Sequence, residues 1–150
     1  MHIDFKEATI KGLAPDKGLY FPEYIPPADK KIIRDIENYS NAEIAYNVIS
    51  PYVGDSIPAD ELKRIAEEAI DFDIPLLKVT DNIFSLELYH GPTLAFKDIG
   101  ARFMSRCLGY FAKEIKQKVI VLVATSGDTG GAVANGFYKV DGVEVVILYP

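Results

Sequence analysis

One cysteine, Cys107, in 150 residues excludes an internal disulfide framework and any multi-cysteine zinc site. A chain so poor in cysteine suits a reducing, intracellular setting. Basic residues are in deficit: 16 Lys and Arg stand against 22 Asp and Glu, a formal net charge of −6 and a pI near 4.9. Without a basic stripe to neutralise phosphates, nucleic acid is excluded as an expected partner. Long hydrophobic runs are missing as well. The longest, Val119–Ala124 and Val145–Tyr149, fall far short of the ~20 residues that span a bilayer. The opening stretch from Met1 to Lys11 alternates polar and apolar residues, unlike a signal peptide. Neither internal repeats nor low-complexity tracts occur. What is present is ordinary for a globular chain, 49% hydrophobic and 25% charged. A chain of this length can bury roughly two-thirds of its unfolded surface without disulfides or metals. The expectation is a soluble, cytoplasmic protein of one domain, or of a small domain and part of another.

Gly12, Pro15, Gly18, Pro22, Pro26 and Pro27 punctuate the first 30 residues, which predicts irregular chain there. From Lys31 the pattern becomes helical. Ile32, Ile33 and Ile36 are close to helical spacing, and Ser40 followed by Glu43 reads as a capping box ahead of Ile44, Val48 and Ile49. Ser56, with Pro58 in the next turn, opens a further predicted helix carrying Leu62, Ile65, Ala66, Ala69 and Ile70. The periodicity switches after Pro75. Ile83 to Tyr89 alternates like a strand with one covered face. After the break at His90-Gly91-Pro92-Thr93 comes a long amphipathic helix, with Ile99, Phe103, Met104, Cys107, Leu108, Phe111 and Ile115 on one stripe.

Val119 to Ala124 is continuously apolar and β-branched, the pattern of a parallel strand buried on both faces, and Val143 to Tyr149 reads the same way. Between them a glycine-rich turn, Thr125 to Gly131, leads into a short helix through Ala134 and Phe137. This order is a βαβ unit and implies a parallel sheet. The fold class is therefore α/β: a small, mostly helical domain over residues 1–78, then the start of a parallel-sheet domain over 79–150. Pro150 follows a buried-type strand directly, and two or three strands cannot cover a sheet, so the second domain is expected to be incomplete.

Two segments could carry chemistry. In Thr125-Ser126-Gly127-Asp128-Thr129-Gly130-Gly131 a strand delivers a glycine-rich turn into a helix N-terminus, where free N–H groups and the helix dipole favour a phosphate or carboxylate. The plain alternative is a tight turn with Asp128 or Thr129 as N-cap. No lysine follows the glycines as in a P-loop, and the G-x-G-x-x-G fingerprint is absent. The second segment is His90-Gly91-Pro92-Thr93-Leu94-Ala95-Phe96-Lys97-Asp98. A lysine is ordinarily a solvated surface charge. Lys97, however, follows an apolar segment at a helix N-terminus, where desolvation and the dipole both favour a neutral, nucleophilic amine. Asp98 reads as a first-turn carboxylate, and His90, with no other ligand in its neighbourhood, makes no metal site.

Together these segments resemble threonine synthase, a pyridoxal-phosphate enzyme of the tryptophan-synthase-β class (fold type II). The resemblance covers nearly the whole chain. It includes Gly12-Leu13-Ala14-Pro15-Asp16-Lys17-Gly18-Leu19-Tyr20-Phe21-Pro22-Glu23, the cofactor-lysine segment Leu88 to Asp98 and the loop Thr125 to Gly130. It implies that Lys97 forms the Schiff base with pyridoxal 5'-phosphate and later moves protons between substrate carbons. Thr125, Ser126, Gly127 and Thr129 would hold the substrate α-carboxylate. Asp128 would lie near the cofactor's 3′-oxygen, and Phe96 beside the cofactor or under the lysine. Asp16 and Tyr20 would belong to a domain that packs rather than reacts. The implied reaction is that of a lyase of threonine biosynthesis, turning O-phospho-L-homoserine and water into L-threonine and phosphate. A related phospho-lyase and a non-catalytic anion-binding α/β module are the alternatives. Family members are much longer, so the cofactor-phosphate loop and the pyridine-nitrogen partner are expected beyond Pro150. The chain alone is then expected to be inactive.

Overall fold

The structure is a computed structural model and describes residues 2–125 and 127–149. The chain is mixed α/β and divides into two compact units, Met1–Glu68 and Ala69–Pro150.

The first unit is helical. Helix α1, Phe5–Lys11, starts where the Asp4 carboxylate accepts the Glu7 N–H at 2.7 Å and stops at Gly12, which has φ +70°. It lies inside the stretch predicted to be irregular. The punctuation begins only at Gly12, and the seven residues before it have an N-cap at one end and a glycine stop at the other. Helix α2, Lys30–Arg34, is capped by Asp29 and followed by the 3₁₀ turn Ile36–Asn38. Helix α3, Asn41–Val53, begins as predicted. The Ser40 hydroxyl accepts the Glu43 N–H at 3.2 Å while the Glu43 carboxylate accepts the Ser40 N–H at 2.8 Å. Helix α4, Ala59–Ala69, starts one residue after Pro58; Ser56 ends the preceding 3₁₀ turn, Gly54–Ser56, rather than opening the helix. Leu62, Ile65 and Ala66 are buried on one face of α4, and Arg64 pairs with Glu61 and Glu68 on its exposed side.

The second unit opens with an antiparallel hairpin, β1 (Leu76–Thr80) and β2 (Ile83–Leu86), in register from Leu76↔Leu86 to Lys78↔Phe84, with a shift before Thr80↔Ile83. The predicted strand over 83–89 is thus shorter. It also lacks the covered face, because every residue of β2 but Ser85 is exposed. Helix α5, Lys97–Ile115, follows; then come β3 (Val119–Ala124), α6 (Asp128–Phe137) and β4 (Val143–Leu148). Strands β3 and β4 pair in parallel from Val119↔Val143 to Ala124↔Leu148. The prediction that both faces of these strands are buried fails. Burial alternates along each strand, with Ile120 and Leu122 more than 60% exposed and Val119, Val121 and Val123 half-buried. Helices α5 and α6 make contact with the sheet on the described side, and no second layer covers its other face among the described residues.

Helix α5 meets α6 through small side chains. The buried face of α5 comprises Asp98, Ala101, Ser105, Cys107, Leu108, Gly109, Phe111 and Ala112. Of the predicted stripe, Met104 is 40% exposed. Gly136 of α6 approaches so closely that a Cβ there would lie 3.0 Å from the carbonyl carbon of Ala101. Arg106 ties the same contact by donating to the Gly136 carbonyl at 2.8 Å. Arg102 reaches back along the chain to pair with Asp71 at 2.6 Å, and its guanidinium lies 5.9 Å from the Phe72 ring centroid. These contacts join residues 71–72 to helix α5 within the second unit.

Candidate functional site

The N-termini of α5 and α6 bring the two chemically suggestive segments together. Lys97 is the first residue of α5 and Asp128 the first of α6. The Lys97 ammonium donates to Asp128 Oδ2 at 2.8 Å across 31 residues of sequence. The side chain of Lys97 is 35% exposed, so it is less desolvated than the apolar segment before it suggests. Its ammonium stands 4.8 Å from the centroid of the Phe96 ring, which therefore lies beside the lysine. The outer part of that ring is open to solvent: Phe96 is 59% exposed.

Asp128 also reaches its own helix. Its Oδ1 accepts the Thr129 N–H at 2.9 Å. The hydrogen bond from Lys97 holds the Asp128 carboxyl below the usual carboxylate range. The lysine's charge and the amides of Thr129 and Asp128 act in the same direction, and desolvation opposes them. Neither Asp128 nor Thr129 is the N-cap. That position belongs to Gly127, in extended backbone with no side-chain cap. The Gly127 N–H points towards Thr125 Oγ1 at 3.4 Å, and Thr125 and Thr129 are half-buried around the turn. Ser126 lies outside the described residues.

The sequence reading gave Asp98 no role beyond the helix's first turn, and the structure gives it a larger one. It is 1% exposed, and its carboxylate accepts both the N–H of Thr93 at 2.9 Å and the Thr93 hydroxyl at 2.5 Å. The signal in the sequence is a hydroxyl residue five positions before a carboxylate, with Gly91 ahead of both. His90 pairs with Glu87 at 2.7 Å and stacks on Tyr89; that contact lowers the Glu87 carboxyl. No group of three or more His, Cys, Asp or Glu side chains is placed to hold a metal among the described residues. In the first unit, Asp16 accepts the Gly18 N–H at 2.9 Å, and the buried Tyr20 hydroxyl has no hydrogen-bond partner. No helix among the described residues is long and apolar enough to cross a membrane.

Known proteins of similar sequence and fold share one name. The family profile "Threonine synthase N terminus" matches residues 1–70. The threonine synthase of Serratia marcescens is 43% identical over 148 residues, 99% of this chain and 34% of that protein. The crystal structure of threonine synthase from Escherichia coli superposes with a TM-score of 0.89 at 40% identity, over 99% of this chain and 34% of that one. Over nearly its whole length the chain is similar to threonine synthases. A crystal structure of threonine synthase from Brucella melitensis with bound PLP matches at TM-score 0.92 and 38% identity, over 99% of this chain and 33% of its own. The chain therefore spans about a third of the threonine synthases it matches, and the match includes their N-terminal region.

Proposed function

We propose that this chain carries the cofactor-lysine part of a pyridoxal-phosphate-dependent threonine synthase, converting O-phospho-L-homoserine and water into L-threonine and phosphate. The observation that supports it most directly is the meeting of Lys97 and Asp128 at two helix N-termini, 2.8 Å apart. The donor set fits the cofactor. A primary amine, partly open to solvent, is available to an aldehyde, and a carboxylate beside it can face a ring hydroxyl.

When bound, the cofactor supplies an electron sink that stabilises charge at the substrate α-carbon. The chain's own residues do the rest. Lys97 holds the cofactor and then carries protons between substrate carbons from its Nζ. Asp128 orients that amine and would face the cofactor's 3′-oxygen, and Phe96 would flank the group. The hydroxyls of Thr125 and Thr129 and the N–H groups near Gly127 and Ser126 hold the substrate α-carboxylate, fixing which bonds are exposed to the base. In this reading the second unit is the first part of the catalytic domain, and the setting is the cytoplasm.

The test is incubation of the chain with pyridoxal phosphate, borohydride reduction and peptide mapping. A single label on Lys97, abolished in K97R, is the expected result. Label spread over several lysines, unchanged in K97R, overturns Lys97 as a site that this chain selects for the cofactor by itself.

A further inference from the structure

Lys97 does not reach Asp128 merely by being long. Its backbone is held inside a closed loop. The bonds from Thr93 to Asp98 span Leu94, Ala95, Phe96 and Lys97, so both ends of that segment are tied to one buried carboxylate. Inside the loop Ala95 is buried at 6% exposure, while Leu94 adopts φ +57° with its side chain 75% exposed. A left-handed leucine costs on the order of 1–2 kcal/mol relative to ordinary backbone, and such a residue persists only where its surroundings over-determine it.

The carboxylate has been given room to serve this purpose. A Cβ at Gly91 would lie 2.6 Å from Asp98 Oδ2 and 3.0 Å from the Phe72 ring, so only glycine lets the loop close here. Phe72 in turn lies beside Arg102, one turn further along α5. The clamp therefore closes against the Gly91 backbone beside the Phe72 ring. Helix α5 has no side-chain cap at Phe96, so its start is tied by the Thr93–Asp98 bonds together with the Asp98 N–H, which donates to the Ala95 carbonyl at 3.0 Å.

We propose that Asp98, through Thr93, is a positioning residue that aims the Lys97 amine at the α6 N-terminus. This inference rests on the reading of Lys97 as the reactive amine, and it deepens that reading by naming what sets the amine's direction. Asp98 touches neither Lys97 Nζ nor Asp128. It acts by fixing the backbone from which the lysine projects.

The readout is the titration midpoint of the Asp128 carboxyl, followed by NMR in the 150-residue chain without cofactor. Lys97 is the charged side chain that faces Asp128, and the amides of Asp128 and Thr129 are its other partners. K97M sets the upper limit of the midpoint. In T93V, which keeps the shape of the side chain and removes the hydroxyl, the midpoint is expected to rise by at least half of the K97M change. D98A is expected to do the same. T93S restores the hydroxyl and the wild-type midpoint. D98N still offers an oxygen to the Thr93 N–H and an amide to its hydroxyl, so it also keeps the wild-type value.

A folded T93V with the wild-type midpoint overturns the inference, and T93V decides if D98A does not fold. A D98N shift equal to that of D98A also overturns it, because charge at the helix end rather than the clamp is then the cause. A midpoint unmoved by K97M removes the ion pair and the inference with it. That last outcome leaves the cofactor reading standing, since borohydride labelling of Lys97 tests it independently.

Discussion

Gly131 and Gly136 lie on the same helix, yet the same added methyl group has opposite consequences at the two positions. At Gly131 a Cβ meets nothing within 4 Å, and the position is exposed. At Gly136 it meets the carbonyl carbon of Ala101 at 3.0 Å and its oxygen and Cβ at 3.1 Å. Those atoms belong to the body of α5 and cannot rotate aside. Either alanine recovers about 0.8–1 kcal/mol of helix propensity. For G131A nothing opposes this gain, so it stabilises by about that amount. For G136A, overpacking costs roughly 1–3 kcal/mol. The separation it forces also weakens the 2.8 Å bond from Arg106 to the Gly136 carbonyl. The net result is a loss of about 1 kcal/mol, leaving the two variants about 2 kcal/mol apart. At about 2–4 °C per kcal/mol for a chain of this size, their Tm values should differ by roughly 4–8 °C. Urea titrations monitored by circular dichroism, with equal m values, give the comparison directly. A G136A as stable as G131A would show that α5 and α6 do not meet as closely as described, and the spacing that brings Lys97 to Asp128 would need another origin.

Two further outcomes follow from groups away from the site. Burial pushes the Cys107 thiol up to about 12 from an ordinary 9.0, so at pH 8 its thiolate population is about a thousandfold lower than that of a free thiol. Ellman's reagent should therefore react with the chain only as urea unfolds it; prompt stoichiometric reaction in buffer would contradict the burial of that face of α5. The Ser40 bonds hold the Glu43 carboxyl below its ordinary value, backbone first and hydroxyl second. A lowered folded-state value means that the stabilisation is present above the unfolded carboxylate value and is lost as pH falls through the folded one. S40A keeps the backbone bond and removes the hydroxyl, so it should lower stability at neutral pH and move the Glu43 titration part of the way upward; an unchanged Glu43 titration would mean that the Ser40 hydroxyl does not bond Glu43.

Local chemistry was legible in the residues, and contact between distant segments was not. The box at Ser40 and Glu43 lies within four residues, and α3 starts where it predicts. The βαβ order and the parallel pairing of β3 with β4 also follow from an apolar run, a glycine turn and a second run. Helix α1 escaped because alternation in so short a segment hides its turns, although Asp4 and Gly12 mark its ends. The stripe chosen for α5 favoured large side chains. The buried face includes the small residues Ala101, Gly109 and Ala112: Ala101 lies against Gly136 of α6, and Gly109 and Ala112 lie against the turn at 140–142 that follows it. The burial expected of β3 and β4 came from composition, which registers what a strand can bury and not how many layers lie against it. At the site, Lys97 and Asp128 were each singled out in their own segments. Their pairing depends on the crossing of two helices 31 residues apart. Asp98 was discounted because a carboxylate in a first helical turn is common, and nothing in its immediate neighbours announces that Thr93 folds back onto it.

Asp128 makes the amino end of α6 a self-occupied site. The N–H of Thr129 that a small anion would seek is already bonded to a carboxylate of the same chain, and that carboxylate is held there by Lys97. An incoming carboxylate must therefore outcompete a tethered rival whose effective concentration is about millimolar or higher and cannot be diluted. Free anions at lower concentration lose that contest. A ligand that first engages the Lys97 amine removes the rival's counter-ion and changes the balance. On the proposed reading of Lys97, occupancy at α6 would follow what happens at α5, and the two helix ends would fill in that order.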